Sequence, residues 1–258
     1  MRDFTLSVYR TLVGALQRRG YTVTGVAAFL MRGSGPEKVA VVRHDVDRSP
    51  AGALAVAHLE RELGVATTYY FRITRRVFRP AIMREIEALG HEVGYHYEDL
   101  AACGGDLAKA WERFQANVAR FRAVCSLSTI CMHGRPWSRV DNRDLWTRFD
   151  YRTLGILGDP YMDLDFSRIA YLTDTGRRWD GLRVSVHDRV GASTVQEQRT
   201  TFDLLRSLDR GTFPPRLHMT THPQRWTDGV VPWTRELLWQ NGKNLMKRLL
   251  VVRSRERM

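Results

Sequence analysis

The chain reads as an α/β fold built on parallel strands, with extra helices at its two ends. Apolar and β-branched runs of strand length alternate with segments of helical periodicity along most of the sequence. Serine, proline or aspartate opens several helical segments, and glycine closes them. No Pro/Gly-rich linker divides the chain, so residues 1–258 are expected to form one domain. Repeated βα units imply right-handed crossovers, which suit a closed barrel and an open sheet equally.

Phe4, Val8, Leu12, Ala15 and Leu16 recur at helical spacing among Arg10, Gln17, Arg18 and Arg19, which predicts an amphipathic first helix stopped at Gly20. Residues 21–30 are short and mixed. The run Val39-Ala40-Val41-Val42 predicts a strand over 38–44, and Ser49-Pro50 opens a helix through Leu63, closed by Gly64. Aromatic and β-branched residues predict a second strand over 66–73. A helix then runs from Pro80 to Leu89, followed by a short strand over 91–96. Asp106 caps a long helix through Phe121, residues 128–133 form the next strand, and Asp141 caps a helix through Phe149. Strands are expected at 154–157, 169–173 and 182–187, a helix at 201–208, and a last strand at 216–221. A helix from Trp233 to about Val252 closes the chain.

The composition, 43% hydrophobic and 26% charged, is that of a folded globular protein and argues against disorder. No apolar run is long enough to cross a membrane. Cys103, Cys125 and Cys131 are odd in number and lack CxxC spacing, which predicts a reducing, cytoplasmic setting and no cysteine zinc site. The net charge of +12 points to an anionic partner, and basic residues gather in the last helix. Sugar nucleotides, lipopolysaccharide and membrane headgroups all fit that charge. No helix-turn-helix, zinc-finger, RNP or KH pattern accompanies it, so nucleic acid is not the expected partner.

The predicted strand ends carry the chemistry. Asp45 and Asp47, spaced i, i+2, project the same way from the end of the first of these strands. Carboxylates so close repel unless a cation or shared proton relieves them, and water-activating metal sites use one as ligand and the other as proton acceptor. The following strands end in His96 with Glu98 and Asp99, in His133, and in His222. Active sites of α/β sheets and barrels lie at such carboxyl ends. Imidazole and carboxylate donors without thiolate suit Zn²⁺ or a similar divalent ion, Co²⁺ or Ni²⁺ included.

From about Val39 to His222 the chain resembles the NodB-homology polysaccharide deacetylases, carbohydrate esterase family four. The resemblance implies a distorted or incomplete (β/α) barrel, with Asp45 as catalytic base and Asp47 as metal ligand. Gly90-His91-Glu92-Val93-Gly94-Tyr95-His96 is similar to the second motif and implies that His96 is a ligand. That motif's second histidine falls on Leu100, which cannot bind metal. The third ligand is therefore sought at His133 first, and at Glu98 or Asp99 second.

His133-Gly134-Arg135-Pro136-Trp137 stands in the place of the third motif, which implies that Arg135 orients the base or binds a substrate anion. Thr173 to Trp179 resembles the fourth motif, with Asp174 and Trp179 in the pocket. Leu217 to Pro223 resembles the last, with His222 as general acid. The detailed pattern is similar to the WbmS-like branch, associated with bacterial O-antigen gene clusters.

The resemblance thus implies a metal-dependent N-deacetylase acting on an amino sugar, with an anionic glycan as substrate and Tyr95, Tyr97, Trp137 and Trp179 as stacking residues. Leu100 leaves a second reading, a non-catalytic relative that binds glycan or a partner protein. The oligomeric state has no signature in the sequence.

Overall fold

The computed structural model describes residues 2–32, 37–134, 140–179 and 198–255, with side chains through residue 243. Among these residues seven strands form one sheet: β1 (Thr22–Thr24), β2 (Val39–Val46), β3 (Thr68–Phe71), β4 (Glu92–Tyr97), β5 (Ile130–Met132), β6 (Ala170–Thr173) and β7 (Arg216–Thr221). The order β5-β4-β3-β2-β7-β6 is parallel throughout, and the sheet curls into a half-barrel. That geometry is compatible with a partial (β/α) barrel.

Strand β2 is the hub. β7 covers one edge from Val39 to His44. The other edge is shared, with β1 on Val39–Val41 and β3 on Arg43–Val46. Gly25 lets the chain turn away where β1 gives way to β3. A Cβ there would lie 2.8 Å from Thr68 Oγ1 and 3.1 Å from the Thr67 backbone carbon.

Helix α1 (Leu6–Arg18) is capped by Thr5, which accepts from Val8 N, and it buries Val8, Tyr9, Leu12, Val13, Ala15 and Leu16. Residues 21–30, mixed in sequence, form β1 and then α2 (Val26–Arg32). Helix α3 (Pro50–Glu62) is capped by Ser49, and Gly64 beyond its end has φ +70°. Then come α4 (Pro80–Ala88), a single turn α5 (Asp99–Ala102), α6 (Leu107–Arg122) capped by Asp106, and the short α7 (Pro160–Asp163). Helix α8 (Thr201–Asp209) begins in a capping box of Thr200 and Asp203, and α9 (Val230–Arg255) ends the chain.

Two expected elements differ. Residues 154–157 are not a strand: a 3-10 segment Tyr151–Leu154 runs into left-handed Gly155, and only Gly158 makes a bridge, to Thr129. Asp141 does cap, but it caps a 3-10 segment, Asn142–Thr147, in place of an α-helix. The strand expected at 182–187 lies outside the described residues.

Alternation along the strands sorts side chains between the helix-covered outer face and the inner face. Arg43 and Asp45 turn inward, while His44 and Val46 turn outward. On the outer face, Glu60 of α3 is fully buried and accepts from Tyr9 Oη, Thr67 Oγ1 and Tyr69 Oη, each at 2.6 Å. His44 Nε2 lies 3.0 Å from the same carboxylate. Burial alone would raise the Glu60 pKa, but His44 and these hydrogen bonds outweigh it and hold it at about 2. Tyr95 and Tyr97 also turn outward, against Phe114 and Trp146, with hydroxyls on Asp99 and Asp159. They are core residues, and the expectation that they stack on sugar is corrected.

Candidate metal centre

Parallel strands bring their carboxyl ends together, and with them Asp45 (β2), Asp47 (after β2), His96 (β4), His133 (after β5), Asp174 (after β6) and His222 (after β7). Asp47 sits at the centre. Its Oδ1 is 3.7 Å from His96 Nε2 and 3.5 Å from His133 Nε2, and its Oδ2 is 3.8 Å from His222 Nε2. Asp47, His96 and His133 offer ligand atoms all within 4.8 Å of one another.

The hydrogen bonds behind each ring fix which nitrogen faces Asp47. His96 Nδ1 lies 2.9 Å from the Cys131 carbonyl, which can only accept, so Nδ1 carries the proton. Burial drives the His96 pKa down to about 4, despite the pull of Asp45 and Asp47, so the ring is neutral near pH 7 and Nε2 presents a bare lone pair. His133 Nδ1 lies 3.2 Å from Glu98 Oε2, which fixes the same tautomer in its neutral form. Asp47 Oδ1 has no hydrogen-bond partner although it is buried.

With both rings in their neutral form, three acceptors converge with no donor between them. Such an arrangement is repulsive until a cation enters, and the donor set of one carboxylate and two imidazoles fits a zinc-like divalent ion. Burial would raise the Asp47 pKa, yet the positive charge that His133, His222 and His96 can carry, together with that of Arg72, takes it well below the usual carboxylate range. The carboxylate is therefore ionised and ready to bind a cation. No family model matches the chain, and no curated protein matches it.

Asp45, His96 and Cys131 form a second cluster of potential ligands. Arg43 already neutralises it. Its guanidinium is fully buried, 3.4 Å from Asp45, 2.9 Å from Cys131 Sγ and 2.6 Å from Tyr161 Oη. An ion there would stand against a fixed positive charge, so the Asp47 cluster is the better cation site. Burial would lower the Arg43 pKa, but Asp45 and then Cys131 raise it well above its ordinary value, so the charge persists.

Among the alternatives for a third ligand, the geometry favours His133. Glu98 stands behind it, not beside Asp47, and Arg72 grips Glu98 at 2.7, 2.9 and 3.2 Å. Those partners hold Glu98 at about 2 against the effect of burial. Asp99 is turned away to Tyr95, Asn117 and Arg113. Leu100 is buried in the core.

Across the half-barrel, Asp174 is fully buried and holds His222. Its Oδ1 is 2.6 Å from His222 Nδ1, and its Oδ2 accepts from His222 N and Trp226 Nε1, each at 2.9 Å. Arg225 also donates to Asp174. Burial would raise the Asp174 pKa, and Arg225 with His222 brings it to about 2. Burial and Arg225 oppose protonation of His222, but Asp174 and Asp47 outweigh them and raise its pKa.

Trp179 is a packing residue, stacked on Phe4 and bonded to Thr201, so its expected stacking role is also corrected. Arg135 and Trp137 lie outside the described residues. The sequence pattern assigns no role to Arg43, Arg72 or Arg225. A charged residue inside the apolar run before Asp45 was the available signal for Arg43.

Proposed function

We propose that this chain is a metal-dependent hydrolase of the NodB-homology deacetylase kind. It removes an N-acetyl or related acyl group from an amino sugar, in bacterial surface polysaccharide or O-antigen assembly. The observation that most supports the reading is the buried Asp47 Oδ1 without a hydrogen-bond partner, faced by the Nε2 atoms of His96 and His133 beside a second carboxylate, Asp45.

Asp47, His96 and His133 would hold the ion, zinc by donor chemistry, with cobalt and nickel accepted by the same donors. When bound, the ion supplies Lewis acidity towards an acyl carbonyl and acidifies water. Asp45 takes the proton of the attacking water, and Arg43, 3.4 Å away, holds that carboxylate in place. His222, as imidazolium held by Asp174, delivers a proton to the departing nitrogen. Water adds to the acyl carbon, the C–N bond breaks, and an amine and a carboxylate leave. The net charge of +12 favours an anionic glycan.

Leu100, at the family's second-histidine position, favours the alternative of a non-catalytic glycan-binding relative. His133 speaks against it, with Nε2 3.5 Å from Asp47 Oδ1. Elemental analysis of the purified protein, paired with acetate release from N-acetylated amino-sugar oligosaccharides, tests the choice. Protein that stays metal-free after incubation with zinc, cobalt and nickel would remove the hydrolase reading and leave the binding one.

A further inference from the structure

Helix α9 is fastened beside the candidate centre. Glu236 accepts from Arg48 Nη2 at 2.9 and 3.0 Å, and Arg48 directly follows Asp47 in the chain. Trp239 stands against the same guanidinium, with Arg48 Cζ 5.9 Å and Lys243 Nζ 5.2 Å from its ring centroid. Glu236 and Gln240 face the protein and are buried. The outward side carries Val230, Val231, Leu238 and Trp239, exposed by 63, 79, 67 and 53%. These are four of the seven large hydrophobic residues exposed among the described ones, gathered on one element.

The sequence continues the pattern: Val231, Leu238, Leu245 and Val252 recur every seventh residue. Between Val230 and Arg255 the basic residues are Arg235, Lys243, Lys247, Arg248, Arg253 and Arg255. The one acid, Glu236, is already engaged by Arg48. A second copy packed on this helix would set like charges against one another along the seam, which opposes self-pairing. A surface of lipid phosphates satisfies both features. It takes the cations, while leucine, valine and tryptophan enter the boundary between headgroups and acyl chains.

We infer that the outward face of α9 docks this protein on an anionic lipid bilayer, with the mouth of the Asp47 cluster at its edge. The binding is peripheral, and it does not depend on what the centre catalyses. Among the described residues no helix is long and apolar enough to cross a membrane.

Co-sedimentation of the full chain with phosphatidylcholine vesicles, and with vesicles that also contain phosphatidylglycerol, tests it. Partitioning should be at least about tenfold stronger on the anionic vesicles and weaken with salt. L238Q/W239Q should lower it about tenfold or more, with zinc content unchanged. If that variant proves unstable, quenching by brominated lipid, read as the difference between wild type and W239F, reports the same contact. Absence of binding to anionic vesicles overturns the inference, and so does binding indifferent to Leu238 and Trp239. A wild-type dimer made monomeric by L238Q/W239Q would give the face to a second copy and overturn it too.

Discussion

Arg43 and Asp45 lie on the same face of β2, and a guanidinium with no access to solvent stands 3.4 Å from the carboxylate. Removing one partner of such a pair leaves the other buried and uncompensated. Arg43→Met should therefore cost about 3–5 kcal/mol of stability, read from urea unfolding midpoints. Arg43→Lys keeps the charge but gives up contacts to Tyr161 and Cys131 and should recover only part of the loss. A change below about 1 kcal/mol for the methionine variant would contradict this account of the pair.

Zinc binding should separate ligands from supports. Asp47→Ala, His96→Ala and His133→Ala are each expected to abolish stoichiometric binding. Glu98→Gln should retain the ion with affinity about 10–100-fold weaker, because it orients His133 from behind. Competition against a fluorescent zinc indicator measures both. Complete loss of zinc in Glu98→Gln, with His133→Ala still loaded, would exchange their roles.

Acid should unfold the protein partly through Glu60. Its pKa is about 2 in the folded chain against an ordinary 4.5. A depressed folded value stabilises above the unfolded pKa, and the gain is lost as pH falls from 4.5 towards about 2. The gain is on the order of 3 kcal/mol near neutrality. Glu60→Gln should flatten the pH dependence of urea unfolding between pH ~5 and ~3 relative to wild type, and parallel curves would show that Glu60 does not titrate this way.

Asp174→Asn should lower turnover roughly 100-fold or more while zinc content stays at the wild-type level, since His222 would lose its orienting anion but Asp47, His96 and His133 remain. Full activity in that variant would free His222 from the proposed acid role.

Gly94 is wedged between Tyr70 and β5. An added Cβ would meet the Tyr70 ring at 2.5 Å and Thr129 O at 2.9 Å. Gly94→Ala should cost about 1–3 kcal/mol through displacement of Tyr70, visible as a lower Tm. An unchanged Tm would mean the ring moves freely.

Much of this architecture is legible in the amino-acid sequence. The strand at 216–221 and the helix start at Thr201 are readable because charged or capping residues bound them sharply. So is the gathering of Asp45, Asp47, His96, His133 and His222, since parallel strands leave their ends no other place to meet. The outward turn of Tyr95 and Tyr97 is available from alternation once His96 is taken as inward. Residues 154–157 mislead because a short apolar run has the same appearance in a strand and in a 3-10 turn. His133 is already preferred to Glu98 from the sequence, but the place of Glu98 behind His133 is not legible, because Arg72 sets it from another strand end.

The hub position of β2 also bears on how the chain comes to be made. Asp47, His96 and His133 all leave the ribosome at least 89 residues ahead of His222, so the three can come together before it exists. Until Arg216–Thr221 arrives, however, the β7-side edge of Val39–His44 has no neighbour in the finished order. During synthesis that bare apolar edge is a template for any passing strand, and shielding it is a task for chaperones until Arg216–Thr221 has emerged.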